Sequence, residues 1–156
     1  MARHDRCVYK ALHSHSVSGS FSAVRYALYR HRLTYADGMR IFTASSGPVD
    51  ALDELYLHAR WANGEGWAEA RANIAYASGV PAEQVPSLVV EAASLLQGTT
   101  TPEAALERLS AANVHPIARN IVEAALLDGV ARVRGMSVAA LLGANLPPGA
   151  PPIPAI

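Results

Sequence analysis

The fold is decided by a long alanine-rich stretch, Ala118-Arg-Asn-Ile-Val-Glu-Ala-Ala-Leu-Leu-Asp-Gly-Val-Ala-Arg-Val-Arg-Gly-Met-Ser-Val-Ala-Ala-Leu-Leu-Gly143. Its apolar side chains cover most of a helix circumference, which predicts a central and largely buried helix. Asp128 interrupts the apolar surface and lies one turn before Arg132, with which it can form an ion pair. Gly135 is typical of a helix end, and Ser137 is typical of the N-cap of a second, short helix.

The segment before the central helix is also helical in pattern. Residues 86–97 predict a helix that begins at a proline and ends at Gly98. Thr101-Pro102-Glu103 is a strong start signal, because it combines a capping hydroxyl, a proline at the first helical position and a carboxylate in the first turn. His115 precedes the proline that opens the central helix, and we interpret it as a cap or a surface residue and not as a catalytic base.

The first half of the chain has the alternation of strands. Apolar and polar side chains alternate from Ala23 to about Leu33, again over residues 55–61, and a third strand is predicted for residues 65–71. The dipeptide Asn63-Gly64 between the last two is typical of a tight hairpin. The sequence therefore predicts an α+β fold, in which a three-stranded antiparallel meander precedes a bundle of three to four helices.

Composition limits the possible functions. The 156 residues have a net charge of zero and 17% charged residues, which disfavours binding to nucleic acid or to an anionic membrane surface. The single cysteine, Cys7, excludes an internal disulfide framework and suits the cytoplasm. Residues 1–20 are predicted to be a flexible arm, and residues 147–156 form a proline-rich exit from a domain that covers residues 21–146.

Two connections contain polar and aromatic residues that could bind a ligand. Residues 35–51 are too rich in turn formers for a regular element to be predicted, yet they include Ile41 and Phe42. Connections of this length are usually functional or mobile. The alternative is a wide hairpin connection in which Ile41 and Phe42 fold back on the core. On the third strand, Glu65 and Glu69 share a face with Trp67, and we expect them to bond to loops or to Arg71 instead of forming an acid/base pair.

Two motifs resemble a known family. The central helix with Glu123, Ala124, Ala125 and Asp128, followed by Gly-Met-Ser-Val and Leu-Leu-Gly, resembles the end of the N-terminal capping domain of the enolase superfamily. The mandelate racemase and muconate lactonizing enzyme branch is the most similar. The segment Asn63-Gly-Glu-Gly-Trp-Ala-Glu-Ala70 is similar to the family hairpin Gly-x-Gly-Trp-Gly-Glu-Ala, with Ala68 where the family usually has glycine. The resemblance covers roughly residues 21 to 146.

This resemblance implies where the chemistry takes place. In the family the capping domain covers a TIM barrel, whose carboxylates hold Mg²⁺ and whose bases remove a proton α to a substrate carboxylate. A barrel needs roughly 200 residues, so we expect no catalytic residue and no metal ligand in this chain, in which Lys10 is the only lysine. The family's two specificity loops correspond to residues 35–48 and 73–79. The predicted substrate-facing residues are Tyr35, Arg40, Phe42, Ser45 and Tyr76.

Three hypotheses on function follow. The chain begins with Met1, which favours the capping subunit of a split, magnesium-dependent isomerase or lyase whose TIM-barrel subunit is a separate chain. Its substrate would be a small carboxylate, and a higher oligomer is possible. The alternatives are a non-catalytic binding or regulatory module derived from the capping domain, and a truncated piece of a full-length isomerase.

Overall fold

The computed structural model describes residues 7–8, 23–43 and 47–144. The strands are β1 (Cys7–Val8), β2 (Arg25–Thr34), β3 (Ile41–Thr43), β4 (Gly47–Val49), β5 (Ala51–Trp61) and β6 (Gly64–Arg71). The helices are α1 (Ala75–Ser78), α2 (Val85–Leu95), α3 (Pro102–Ala111), α4 (Pro116–Val133) and α5 (Val138–Leu141). The predicted α+β fold, with strands first and helices afterwards, is confirmed.

The predicted meander is formed by β2, β5 and β6, which pair antiparallel in that order. The two-residue strand β1 pairs with the free side of β2, so the sheet has the order β1-β2-β5-β6. Strand β1 falls within the predicted arm. The rest of that arm and the proline-rich exit lie outside the described residues, and both remain predictions.

The sheet has one buried face and one partly exposed face, because successive residues of a strand point to opposite sides. The buried face packs against the helices and carries the apolar residues Tyr26, Leu28, Leu55, Leu57 and Ala59. We call the opposite side the outer face; it carries Tyr29, Glu54, Tyr56, His58, Glu65, Trp67, Glu69 and Arg71. The hydroxyl of Tyr26 is buried without a hydrogen-bond partner among the described residues, and burial raises the pKa of this phenol.

Helix α4 is the central helix, as the sequence predicted. It packs against β5, β6, α2, α3 and α5, and it buries side chains around most of its circumference. The caps are also confirmed. The Thr101 hydroxyl accepts from the Ala104 N–H at 3.2 Å, and His115 Nδ1 accepts from the Ile117 N–H at 3.3 Å. Both bonds satisfy backbone donors that the first turn of a helix leaves free.

Strand β6 and helix α4 approach each other at two glycines. An added Cβ on Gly66 would overlap the backbone of Ala125 and Gly129, and one on Gly129 would overlap the Trp61 ring and lie 2.9 Å from the Glu65 carbonyl group. Any side chain at these two positions would therefore clash with the neighbouring element unless β6 or α4 moved. The glycines of the hairpin motif serve this close packing.

Asp128 fastens the same helix to the same strand. Its carboxylate accepts from the Trp67 N–H at 2.9 Å and from Arg132 Nε at 2.8 Å. The second contact is the ion pair that the sequence predicted. The bond from the Trp67 N–H satisfies a backbone donor on the unpaired side of β6, where no further strand is paired among the described residues.

One interpretation of the long connection is wrong. It contains a small antiparallel hairpin of β3 and β4, whereas its content of turn formers argued against a regular element. Nor do its apolar residues fold back on the core, since Ile41 is 43% exposed and Phe42 is 77% exposed. A separate two-stranded ladder satisfies the backbone of this segment, and Val49, at the end of β4, is the exception that is buried in the domain. None of the helices in the described part of the chain is long and apolar enough to cross a membrane.

Candidate functional site

Two loops leave the sheet at the same end of its strands. In an antiparallel meander the end of β2, the start of β5 and the end of β6 lie side by side, and here Thr34 pairs with Ala51 while Arg71 pairs with Glu54. We call this end of the sheet the loop edge. The first loop, residues 35–50, connects β2 to β5, and the second loop, residues 73–79, follows β6. The order of the strands alone thus brings the two predicted specificity segments together.

The first loop is closed at its base and exposed at its tip. The Tyr35 N–H donates to the Asp50 carbonyl oxygen at 3.4 Å, directly beyond the last pair of the β2–β5 ladder. A tight turn at Ala36–Gly38 follows, in which Asp37 has a φ of 54°. Beyond it, Met39 and Phe42 are largely exposed. The tip therefore presents apolar surface to solvent, which is typical of a surface that contacts a ligand or a partner.

The second loop is a single compact turn. The Ile74 N–H donates to the Ala72 carbonyl oxygen at 2.9 Å, and the four-residue helix α1 ends at Gly79, whose φ of 70° lies in the left-handed region that glycine tolerates. Tyr76 lies on this helix and is 56% exposed. The loop thus presents one aromatic side chain at the loop edge.

An ion pair supports the loop edge from the side of the sheet that faces the helices. Arg30 Nε donates to Asp53 Oδ1 at 2.7 Å, and a second guanidinium nitrogen contacts the other carboxylate oxygen. This two-point contact fixes both side chains in one plane. Both are mostly shielded from solvent, at 25% and 16% exposure, so the pair holds the end of β2 against the start of β5.

Asn73 joins the second loop to the start of β5. Its side-chain oxygen accepts from the Asp53 N–H at 3.1 Å and from Arg71 Nε at 2.9 Å. Its side-chain nitrogen donates to the Ala51 carbonyl oxygen at 2.9 Å. The Ala72 N–H adds a backbone bond to the Asp53 carbonyl oxygen at 2.7 Å. The base of the second loop is therefore fixed to Ala51 and Asp53, at the start of the strand that directly follows the first loop.

The predicted substrate-facing residues lie on these two loops. Tyr35, Arg40 and Phe42 belong to the first loop and Tyr76 to the second, whereas Ser45 lies outside the described residues. Among the described residues, no hydrogen bond or ion pair joins the side chains of one loop to those of the other. Contact of these residues with a substrate remains a prediction.

Sequence reasoning did not find the residues that support the loops. Arg30 and Asp53 fall on the face of the sheet that carries the apolar core residues, and this break in the alternation was a signal that could have identified them. Asn73 was included in the second loop without a role. No local pattern shows that its amide meets Ala51 and Asp53, because these residues lie 22 and 20 positions away.

An aromatic cluster covers part of the outer face. The His58 ring stacks on the Trp67 indole, with ring centroids 4.0 Å apart and planes within 6°, and Tyr29 stacks on the same indole at 5.9 Å. His58 Nε2 also lies 3.1 Å from Glu65 Oε2. The expected partners of Glu65 are thus corrected: it contacts the neighbouring strand β5 instead of a loop or Arg71, because cross-strand side chains are the nearest.

Burial also affects two ionisable groups on the outer face. Glu54 is 4% exposed, and this burial raises the pKa of its carboxyl group, with a further increase from the Glu69 carboxylate. Burial likewise raises the pKa of the Tyr56 phenol. Arg71 acts in the opposite direction on Glu54, lowering its pKa, but does not outweigh burial. The environment of the outer face near the loop edge therefore raises the pKa of a carboxyl group buried there.

The chain was compared with known proteins. No family model and no curated protein matches it. Its fold is similar to that of a probable mandelate racemase from Alicyclobacillus acidocaldarius, with a TM-score of 0.58 and 22% sequence identity. The match covers 78% of this chain and 34% of that chain, so this chain spans about a third of the protein it resembles. The likeness shows the fold alone.

Proposed function

We propose that this chain is a capping domain of the enolase-superfamily type, which covers the active site of a catalytic barrel carried by a separate polypeptide. The observation that supports this most is the position of the two loops, which both leave the sheet at the loop edge. They do so in a fold that is similar to about a third of a probable mandelate racemase. The hairpin motif and the central helix that suggested the family also form one close contact, through Gly66 and Gly129. A cytoplasmic location, suited to the lone Cys7, is part of the proposal.

In this proposal the loops determine which substrate enters. Arg40 is exposed on the first loop and would pair with a carboxylate, for which a guanidinium offers two parallel donors. Phe42 and Tyr76 are exposed and would form apolar walls around the rest of the substrate. Such loops close over a substrate and exclude water, and they contribute to specificity without performing the chemistry.

The chemistry itself would belong to the barrel. The resemblance implies proton abstraction α to a carboxylate, as in racemisation, epimerisation, cycloisomerisation or dehydration, with Mg²⁺ stabilising the enolate. The described part of this chain contains no group of three or more His, Cys, Asp or Glu side chains that could hold a metal ion. As the resemblance implies, we assign the Mg²⁺ of this proposal to the partner barrel.

The first test is the identity of the native complex. The full chain is affinity-purified from its source, and co-eluting proteins are identified and their stoichiometry determined. A stoichiometric partner of barrel size, with carboxylates at the ends of successive strands, would support the proposal. A monodisperse monomer or homodimer without such a partner would contradict it and favour the binding or regulatory module.

The second test uses the reconstituted complex. We expect Arg40→Ala to raise KM for a carboxylate substrate by about tenfold or more, because a charge-assisted hydrogen bond is lost. Arg25→Ala is the matched control, since Arg25 is also exposed but lies at the far end of β2. Equal effects of the two substitutions would count against a substrate contact at Arg40.

A further inference from the structure

Asn73 fills a gap in the sheet. Strand β6 ends at Arg71, opposite Glu54, whereas β5 begins earlier, at Ala51. The first residues of β5 thus have β2 on one side and no paired strand of the described chain on the other. The Asn73 side chain occupies that side, where it accepts from the Asp53 N–H and donates to the Ala51 carbonyl oxygen. An amide side chain has the same donor and acceptor as a peptide group, so it replaces hydrogen bonds that a longer β6 would supply.

The orientation of this amide is fixed by its partners. The side-chain oxygen of Asn73 faces two groups that only donate, the Asp53 N–H and Arg71 Nε. Its nitrogen faces the Ala51 carbonyl oxygen, which only accepts. A reversed amide would place like groups against each other at all three contacts. Asparagine is therefore required at this position, and neither aspartate nor alanine reproduces its contacts.

These contacts connect the two loops. Ala51 directly follows the first loop, whose last residue, Asp50, is bonded to Tyr35 and lies 3.4 Å from the Arg32 guanidinium. Asn73 is itself the first residue of the second loop. A displacement of Ala51 relative to the second loop therefore strains or breaks the bond between Asn73 and Ala51.

We propose that Asn73 is a positioning residue that couples the first loop to the second and so sets the relative position of the two loops. Its importance for substrate specificity rests on the proposed function, in which both loops close over the substrate. The coupling itself depends only on contacts within this chain, and it can be measured without a substrate or a partner.

The test is amide hydrogen exchange of the full chain, measured residue by residue by NMR. In Asn73→Ala we expect exchange at Tyr35, in the first loop, and at Ile74, in the second, to become about tenfold faster, because each loop loses a hydrogen bond at its base. Asn120→Ala is the matched control, since Asn120 is exposed on α4, and it should leave both amides unchanged.

Two results would overturn the coupling. In the first, Ile74 becomes faster while Tyr35 keeps its rate, which would confine the effect of Asn73 to its own loop. In the second, amides in the middle of α4 become faster by the same factor as both loops. That result would mean that Asn73 affects only the stability of the whole domain, since global unfolding exposes all amides equally.

A second variant separates the contacts of the Asn73 side-chain oxygen from the contact of its nitrogen. Asn73→Asp keeps an oxygen for the Asp53 N–H and Arg71, but it places a carboxylate oxygen against the Ala51 carbonyl oxygen. We expect faster exchange at Tyr35 and unchanged exchange at Ile74. A change at both amides or at neither would contradict the assignment. This variant decides the question even if Asn73→Ala does not fold.

The outcomes for the coupling and for the proposed function are distinguishable. Exchange is measured on the isolated full chain, so the absence of a barrel partner would refute the proposed function and leave the coupling intact. Conversely, unchanged exchange at Tyr35 in both variants would refute the coupling, whereas co-purification of a barrel partner would still support a capping role.

Discussion

The contact between β6 and α4 differs in construction from the loop edge. At the first, Gly66 and Gly129 bring two backbones together with no room for a methyl group. At the second, Phe42 is 77% exposed and Tyr76 is 56% exposed, and the supporting contacts are polar. Close packing of two backbones, with the single bond from the Trp67 N–H to Asp128, holds the first region, and a set of polar contacts holds the second.

Under the proposed function, this difference separates the residues that stabilise the fold from those that would contact a substrate. Tightly packed backbone transmits any change in volume, so substitutions at the β6–α4 contact affect the whole domain. Exposed loop residues contribute little to folding and are free to vary with the ligand. Four predictions test this division, in order of decreasing effect.

Gly66→Ala should have the largest effect. Its Cβ would overlap the backbone of Ala125 and Gly129, which cannot move without displacing α4, and we expect a loss of about 3 kcal/mol in the free energy of unfolding. The measurement is urea denaturation. Gly64→Ala is the matched control on the same face of β6, because its Cβ would meet only the side chains of Val133 and Trp61. Equal losses in the two variants would refute the special role of the backbone contact.

Asp128→Ala should have the next largest effect. It removes the bond to the Trp67 N–H at the edge of β6, and we expect a loss of about 1 kcal/mol in the free energy of unfolding. Arg132→Ala removes only the exposed ion pair and should cause a clearly smaller change by the same denaturation measurement. If Arg132→Ala costs as much as Asp128→Ala, the ion pair is the important contact and the bond to Trp67 is not.

Glu54→Gln should stabilise the domain slightly, and only at higher pH. The pKa of Glu54 is raised above its ordinary value of 4.5 in the folded state, so the folded state holds the proton more tightly. Stability is therefore lost as the pH rises through 4.5 towards the raised pKa. We expect a small gain in the free energy of unfolding at pH 7 that disappears at pH values below the ordinary pKa of a glutamate.

The comparison for Glu54→Gln is thermal or urea unfolding of both proteins at several pH values. A pH-independent difference would mean that burial of Glu54 has no effect on its ionisation. The matched control is Glu69→Gln, at an exposed position on the same face. It removes the charge that raises the pKa of Glu54 without removing a buried carboxyl group.

Phe42→Ala should have the smallest effect on stability. Because the side chain is 77% exposed, we expect the free energy of unfolding to change by less than about 0.5 kcal/mol. Within the proposed complex the same substitution should reduce substrate affinity, so the two measurements should diverge. A loss of stability comparable to that of Asp128→Ala would show that the loop tip packs on the domain and is not free for a ligand.

The sequence predicted the elements better than the site. Strand alternation, the Asn63-Gly64 turn and the caps at Thr101, His115 and Ser137 gave the order and approximate ends of the main elements. The two loops do connect the main elements at the predicted places, and their role in specificity stays a prediction. The β3–β4 hairpin was not predicted, because Gly47 and Pro48 favour turns and the pairing that overrides this preference involves residues across the loop.

Local patterns determined what depends on neighbours in the chain. The bond between Asp128 and Arg132 followed from their spacing of one helical turn. Only the tertiary structure decided that Asp128 also meets Trp67, 61 positions away, that Gly66 meets Gly129, and that Asn73 joins two loops. Periodicity gives the face on which a residue lies but not the residue that it meets on another element. That choice depends on how the sheet and helices pack, and packing is a property of the whole chain.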